Sequence, residues 1–208
     1  MKIFLNYLGQ ARIYSLVDLI LLLLATHAST GKLWGAILLW LGFLALLESQ
    51  HHHSYRAKVP AMLWVILFAA GVTLYGWIPG LIFVAASVFY TLKDKKFWGA
   101  TSPLFRGFQS YVLVGGISGY SAGLAMIAGI LTLIRNLLGD VRDAGKDSKE
   151  GTKTIPVLLG QKKNTKHIHL AGVVLTSLVW WYLGGLSVWL LIVAIVIEVT
   201  SYNLTPRS

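Results

Sequence analysis

The chain has 208 residues, of which 56% are apolar and 12% charged, with 18 Lys and Arg against 8 Asp and Glu. Soluble domains carry about a quarter charged residues, so this composition excludes an ordinary water-soluble domain. The length excludes a lone membrane anchor. The net charge of +10 suits anionic lipid headgroups or an anionic substrate. Because the chain has no cysteine, disulfides, thiolate zinc sites and thiol catalysis are excluded.

Stretches without Asp, Glu, Lys or Arg mark the predicted membrane helices. The runs 59 to 92, 107 to 134 and 167 to 197 exceed the roughly 20 residues of one membrane-spanning helix, and glycines interrupt each of them. We therefore interpret these runs as helical hairpins within an all-α, polytopic membrane bundle that forms one domain over residues 1 to 208. The eight predicted spans are 13 to 28, 33 to 48, 60 to 77, 79 to 92, 104 to 118, 121 to 138, 167 to 183 and 186 to 202.

The distribution of basic residues supports the count of eight spans. With eight, 17 of the 18 Lys and Arg lie on one side of the membrane, and only Lys32 lies opposite. Cytoplasmic loops carry such an excess of positive charge. If residues 107 to 134 formed a single helix, the Lys-rich segment 135 to 166 would face outward. We therefore expect an integral protein of a prokaryotic plasma membrane, with its charged loops cytoplasmic.

Half of the acidic residues lie in one short segment, at Asp140, Asp143, Asp147 and Glu150. Steps of three and four residues place the three aspartates on one stripe of a helix, where like charges repel mildly. One interpretation is a solvated loop. The other is a set of carboxylates that binds Mg²⁺, with basic neighbours that hold the anion the metal brings. Eight basic residues between 135 and 166 favour a polyanion such as a diphosphate.

This segment resembles the second aspartate-rich motif of the UbiA-type intramembrane prenyltransferases in order and spacing. Weaker similarities lie elsewhere: Tyr7, Leu8 and Arg12 resemble the family's N-terminal signature, and Tyr90 with Lys95 resembles a Tyr and Lys-Arg loop. The positions that match the second motif are Arg135, Asp140, Asp143, Asp147, Lys149, Gly151, Lys153, Thr154, Pro156 and Gly160.

The resemblance implies an enzyme with helices around a central cavity, which moves a prenyl group from its diphosphate to an aromatic or lipid acceptor. Asp140, Asp143 and Asp147 would be the catalytic carboxylates and the Mg²⁺ ligands. The expected partners are the prenyl diphosphate, the acceptor and membrane lipids, and no nucleic acid. The residues expected to bind the substrate are Arg12, Tyr90, Lys95, Arg135, Lys149 and Lys153.

The family's first aspartate motif should fall between residues 48 and 60, which contain no aspartate. Three hypotheses stay open. Arg56 and Lys58 could hold the phosphate directly, Glu48 with the histidines at 51 to 53 could bind a different metal such as zinc, iron or nickel, or catalysis could be lost. The chain is also short for the family. We therefore expect a smaller cavity, suited to a shorter donor or closed by a protein partner.

Two charged residues within or beside the predicted spans allow more than one role. Asp18 would face the cavity and position an acceptor hydroxyl, or pair with a nearby base. Arg106 would reach the cavity mouth or anchor in the headgroups. The rival functions are a non-catalytic isoprenoid-binding or scaffolding protein, a small transporter and a membrane terpene cyclase.

Overall fold

The computed structural model describes residues 12–50, 59–92, 98–117, 122–165 and 167–204. Within these ranges the secondary structure is helical, without strands, so the all-α prediction is confirmed. A short 3₁₀ helix, Gly99–Thr101, precedes the fifth α-helix. The α-helices of the described ranges are α1 (Ile13–Ala25), α2 (Thr30–Gln50), α3 (Ala61–Tyr75), α4 (Trp77–Thr91), α5 (Ser102–Ile117), α6 (Ala122–Glu150), α7 (Ile155–Leu158), α8 (Ile168–Gly184) and α9 (Val188–Leu204).

The breaks between helices follow the glycines that the sequence marked. Gly76 separates α3 from α4 at a φ of 121°, and Gly185 follows α8 at a φ of 57°. Side chains disfavour positive φ, so glycine is suited to both turns. Between α5 and α6, which end and begin at Ile117 and Ala122, the predicted turn lies outside the described residues. α6 continues well past its predicted end at 138, because the acidic stripe belongs to the same helix.

Helix length and composition identify fewer membrane-spanning candidates among the described helices than the sequence predicted. α2 and α6 are long and apolar enough to span a bilayer by length and composition. The apolar helices α1, α3, α4, α8 and α9 have 13 to 17 residues, shorter than the length usual for one span. The count of eight membrane spans therefore stays a prediction.

The helices pack in a closed circuit. α2 packs against α1, α3 and α4, α4 packs against α5, and α5 packs along α6. α8 then contacts both α6 and α1, which closes the circuit, while α9 packs against α1 and α8. Residues from α1, α2, α4, α5, α6 and α8 therefore face a shared interior.

Small residues allow α2 and α3 to approach closely. A Cβ atom added at Gly35 would lie 2.6 Å from the backbone nitrogen of Tyr75, and one at Gly71 would lie 2.8 Å from the backbone nitrogen of Leu39. Glycine and other small residues favour this kind of close helix packing, particularly in membranes. These two glycines set the spacing of the helix pair.

Polarity is distributed as in a protein that faces lipid. The outer faces of α3, α4, α8 and α9 expose large apolar side chains, including Ile78, Trp77 and Trp189. The interior contains the buried polar or charged side chains of Asp18, Arg106, Gln109, Arg135 and Glu198. Extended apolar surfaces mark contact with a membrane or a partner.

Candidate functional site

A buried ion pair joins α1 to α6 in the shared interior. Arg135 donates through Nη1 to Oδ2 of Asp18, and both side chains are almost fully buried. The other carboxylate oxygen, Oδ1, accepts hydrogen bonds from Thr176 Oγ1 at 2.7 Å and Trp180 Nε1 at 3.1 Å. Asp18 is thus held by partners on α6 and α8. The structure agrees with the second role considered for Asp18, pairing with a base.

A second ion pair links the ends of α1 and α2. Arg12 Nη2 lies 3.4 Å from Glu48 Oε1, and the glutamate is the more buried of the two. Glu48 opens the segment in which the first aspartate motif was expected. Its partner in the structure is an arginine, and the histidines at 51 to 53 lie outside the described residues.

A chain of hydrogen bonds runs from the predicted substrate residue Tyr90 to Asp140. Tyr90 donates through its hydroxyl to Asn136 Oδ1 at 3.4 Å, and Asn136 Nδ2 donates to Ser102 Oγ at 3.1 Å. Ser102 in turn donates to Asp140 Oδ2 at 3.3 Å. The chain connects α4, α5 and α6. Asp140, the innermost aspartate of the stripe, is therefore anchored to the protein interior.

The three aspartates share α6, as the spacing predicted, but they have different surroundings. Asp140 is buried, whereas Asp143 pairs with its neighbour Arg142, whose Nε donates to Oδ1 at 2.8 Å. Arg142 also contacts His169 Nδ1 on α8 at 3.1 Å. In the described part of the chain, no three Asp, Glu, His or Cys side chains are close enough to hold a metal ion. The oxygen donors suit Mg²⁺ in chemistry, and the metal site stays a prediction.

A basic cleft of about 370 Å³ lies at the C-terminal end of α6. Asn164 shapes it by accepting hydrogen bonds from the backbone nitrogens of Gly145, at 2.8 Å, and Lys146, at 3.3 Å. This contact holds the loop after α7 against α6. The cleft is lined by Gly145, Lys146, Lys149, Glu150, Lys162 and Asn164.

The structure places the predicted substrate residues that it describes in different surroundings. Lys149 lies in the basic cleft, while Lys153 lies on the loop before α7 with its backbone against Gly99. Arg12, Tyr90 and Arg135 belong to the interior groups described above. The predicted residues Arg56, Lys58 and Lys95, like Tyr7 and Leu8, lie outside the described residues.

Arg106, which was expected at the cavity mouth or in the headgroups, is instead buried in the interior. Its guanidinium carbon lies 4.3 Å from the ring centre of Trp40 and 4.5 Å from that of Phe43. It also donates through Nη1 to Gln109 Oε1, one helical turn further along α5. One signal in the sequence could have indicated this burial, namely a charged residue and an amide close together in a largely apolar helix. Burial by α2 and α4 is a tertiary effect that spacing does not show.

The chain is similar to a curated protein named digeranylgeranylglyceryl phosphate synthase, from Thermococcus kodakarensis. The two are 31% identical over 121 residues, which cover 50% of this chain and 42% of the relative. The chain thus matches less than half the length of that relative. No family model and no solved structure matches the chain. The similarity supports the resemblance to the UbiA-type prenyltransferases.

Proposed function

We propose that this chain, given its resemblance to the UbiA-type prenyltransferases, is a membrane enzyme that transfers an isoprenoid group from an allylic diphosphate to an aromatic or lipid acceptor. The observation that carries the proposal is the position of Asp140. Its carboxylate accepts a hydrogen bond from Ser102 in the interior, while the rest of the aspartate stripe continues along α6 towards the basic cleft. This end of α6 combines acidic and basic groups beside an aromatic interior.

The charges near α6 suit the diphosphate of the donor. Lys149 and Lys153 supply positive charge beyond the end of the apolar segment, and the ion-paired Arg12 and Arg135 place guanidinium groups nearer the interior. Arginine binds phosphate oxygens through paired N–H donors, and lysine binds them as a point charge. We propose that these residues, with Arg56, Lys58 and Lys95, hold the diphosphate.

The acidic stripe would supply the metal site. We propose that Asp140, Asp143 and Asp147 hold Mg²⁺, which when bound would neutralise the diphosphate and favour its departure. Ser102 orients Asp140 through its hydroxyl, and Asn136 orients Ser102 in turn. This polar support from α5 and α6 fixes one carboxylate of the stripe before any ligand arrives.

The interior suits the carbon chain of the donor. Breaking the bond between the prenyl carbon and the diphosphate oxygen releases pyrophosphate and leaves an allylic cation. Tyr90 and Phe43 meet edge to face, 5.3 Å apart, and Tyr14 meets Tyr202 in the same way at 5.1 Å. Rings like these exclude water and stabilise a cation by about 0.5–2 kcal/mol each. An acceptor nucleophile would then form the new bond.

The apolar outer faces support a location in the membrane. We propose that eight helices cross the bilayer, with the end of α6 and the other charged loops on the cytoplasmic side. This arrangement gives a lipid-soluble prenyl chain access to the interior and leaves its diphosphate at the aqueous boundary.

Purified protein in lipid nanodiscs tests the function directly. Labelled geranyl, farnesyl and geranylgeranyl diphosphates are added with Mg²⁺ and a lipid extract, and pyrophosphate and lipid products are measured. A prenylated acceptor supports the proposal. A hydrocarbon formed without acceptor would instead indicate a terpene cyclase, and absence of pyrophosphate release from all three donors would indicate a non-catalytic isoprenoid-binding or scaffolding protein.

A further inference from the structure

Arg106 is a buried cation for which the described residues provide no carboxylate. Its side chain is enclosed by Trp40 and Phe43 of α2 and Tyr90 of α4, and the residue is 7% exposed. Its hydrogen-bond partner is the neutral Gln109. Burying a charge without an opposite charge is unfavourable, and aromatic faces compensate only part of the lost hydration. This environment favours an anion as a further partner of Arg106.

The surrounding charges strengthen this conclusion. Arg135 and Arg12 lie close enough to repel Arg106 electrostatically. Each of those two arginines already has a carboxylate partner, Asp18 and Glu48 respectively. Three guanidinium groups thus share two carboxylates, so these five side chains carry a net charge of +1. The excess positive charge resides at Arg106.

The position of Arg106 is fixed by a relay of neutral groups. Gln109 Nε2 donates to Ser87 Oγ at 2.7 Å, and Ser87 donates to the backbone carbonyl of Phe83 at 2.8 Å. This relay turns the carbonyl oxygen of Gln109 towards Arg106. A cation held in place before its ligand binds loses little conformational entropy on binding.

Arg106 also lies beside the hydrogen-bond chain that reaches Asp140. It is one helical turn from Ser102 on α5, and its guanidinium carbon is 5.7 Å from the ring centre of Tyr90. Tyr90 and Ser102 both belong to that chain. A phosphate at Arg106 would therefore lie on the interior side of the proposed reaction site.

We infer that Arg106 heads a buried phosphate subsite, with Tyr90 and Gln109 at its edge. The subsite takes a phosphate group, either of the donor diphosphate or of a phosphorylated lipid acceptor. The identity of these ligands rests on the proposed function, whereas the affinity for phosphate does not. The residue binds the phosphate through the N–H groups that Gln109 leaves available.

Binding of inorganic pyrophosphate to purified protein in nanodiscs tests the subsite without turnover. The variants are Arg106→Met, which replaces the charge with an apolar chain of similar length, and Arg106→Lys, which keeps the charge. We expect Arg106→Met to weaken binding about thirtyfold or more, as truncating a buried charge partner does, and Arg106→Lys to restore part of the loss. The matched control is Lys163→Gln, which removes an exposed positive charge and should bind as the wild type.

Thermal stability separates a binding role from a structural one. Burying a charge without an opposite charge is unfavourable, so an apolar side chain of similar length should be tolerated at this position. Arg106→Met should therefore melt at or above the wild-type temperature in phosphate-free buffer, and pyrophosphate should raise the melting temperature of the wild type more than that of Arg106→Met. A lower melting temperature for Arg106→Met, with an unchanged response to pyrophosphate, would overturn the inference. Should that variant not fold, Arg106→Gln is measured in the same way.

Two lipid ligands distinguish the source of the phosphate. Binding of geranylgeranyl diphosphate and of a geranylgeranylglyceryl phosphate ether is compared between the wild type and Arg106→Met. If Arg106→Met loses binding of the diphosphate alone, the subsite belongs to the donor. If it loses binding of the phosphate ether alone, the subsite belongs to the acceptor. Unchanged binding of both ligands and of pyrophosphate contradicts the subsite.

The outcomes also separate this inference from the proposed function. If the wild type releases no pyrophosphate from prenyl diphosphates but binds inorganic pyrophosphate through Arg106, the subsite is supported and the proposed function is contradicted. If the wild type transfers prenyl groups and Arg106→Met binds every phosphate as well as the wild type does, the proposed function is supported and the subsite is contradicted.

Discussion

Asp18 and Arg135, which are 117 positions apart in the sequence, form an ion pair between α1 and α6. Thr176 and Trp180 complete the partners of the carboxylate from α8. The pair therefore joins the beginning, the middle and the last part of the described chain. It holds together the point where α8 closes the circuit of helices.

Replacing Asp18 with Asn should destabilise the protein, because Arg135 would keep a buried charge without its partner. Breaking a buried pair in this way costs about 3–5 kcal/mol. The measurement is the midpoint of unfolding in nanodiscs or mild detergent. The double variant Asp18→Leu with Arg135→Met removes both charges and should recover much of the loss. Equal destabilisation in the single and double variants would show that the charge pair is not the cause.

Replacing Asp143 or Asp147 with Asn should lower the rate of prenyl transfer about a hundredfold or more, as removal of one preorganised electrostatic group does. The folded structure should persist, since neither residue is among the buried side chains. Turnover is measured as pyrophosphate release. The control is Lys163→Gln, which changes an exposed charged residue outside α6 and should leave turnover near the wild-type value. Normal turnover in both aspartate variants would contradict the assignment.

Removal of divalent metal should stop prenyl transfer. Oxygen ligands such as the aspartates of α6 favour Mg²⁺, whereas zinc prefers nitrogen and sulfur ligands. We therefore expect EDTA to abolish pyrophosphate release, and added Mg²⁺ to restore it better than Zn²⁺ does. Full activity in EDTA would argue against the metal, and preferential rescue by Zn²⁺ would point to the histidines at 51 to 53.

The ring of Tyr90 should matter more than its hydroxyl. Tyr90→Phe keeps the contact with Phe43 and the position beside Arg106, and it loses a hydrogen bond of 3.4 Å to Asn136. We expect turnover to fall by no more than about threefold in this variant, and by about tenfold in Tyr90→Leu, where the cation–π stabilisation is lost. The rates and melting temperatures of both variants are compared. A larger loss in Tyr90→Phe would assign the main role to the hydroxyl.

Gly35→Ala should destabilise the packing of α2 on α3, because its added Cβ would lie 2.6 Å from a backbone atom of Tyr75. Overpacking of this kind costs about 1–3 kcal/mol. Gly31→Ala is the matched control, since nothing lies within 4 Å of its added Cβ. It lies in the first turn of the same helix and should be neutral or slightly stabilising. The readout is the melting temperature of each variant.

The helices could be predicted from the sequence because the signals for them are local. Runs without charge, bounded by glycines and basic loops, located α1 to α6, α8 and α9 within a few residues at most ends. The spacing of Asp140, Asp143 and Asp147 also placed them correctly on one helix. The short helix α7 was missed, since four residues give no periodic pattern.

Side-chain partners could not be predicted in the same way. Arg135 was expected at the diphosphate on the basis of its motif, and its ion pair with Asp18 depends on how α1 packs beside α6. Arg106 was expected at the cavity mouth or in the headgroups, but it is buried against Trp40 and Phe43. Such contacts depend on which faces of distant helices meet, and the order of residues along one helix does not determine this.

The pairing of Asp18 with Arg135 has a consequence for biosynthesis. The N-terminal part of a chain is synthesised first, so α1 leaves the ribosome long before α6 has been translated. During this interval the carboxyl group of Asp18 lacks Arg135, so water, an insertase or another early segment must stabilise it. Nascent chains arrested before residue 135 should therefore be less firmly integrated, and more accessible to quality-control proteases, than chains arrested after α8.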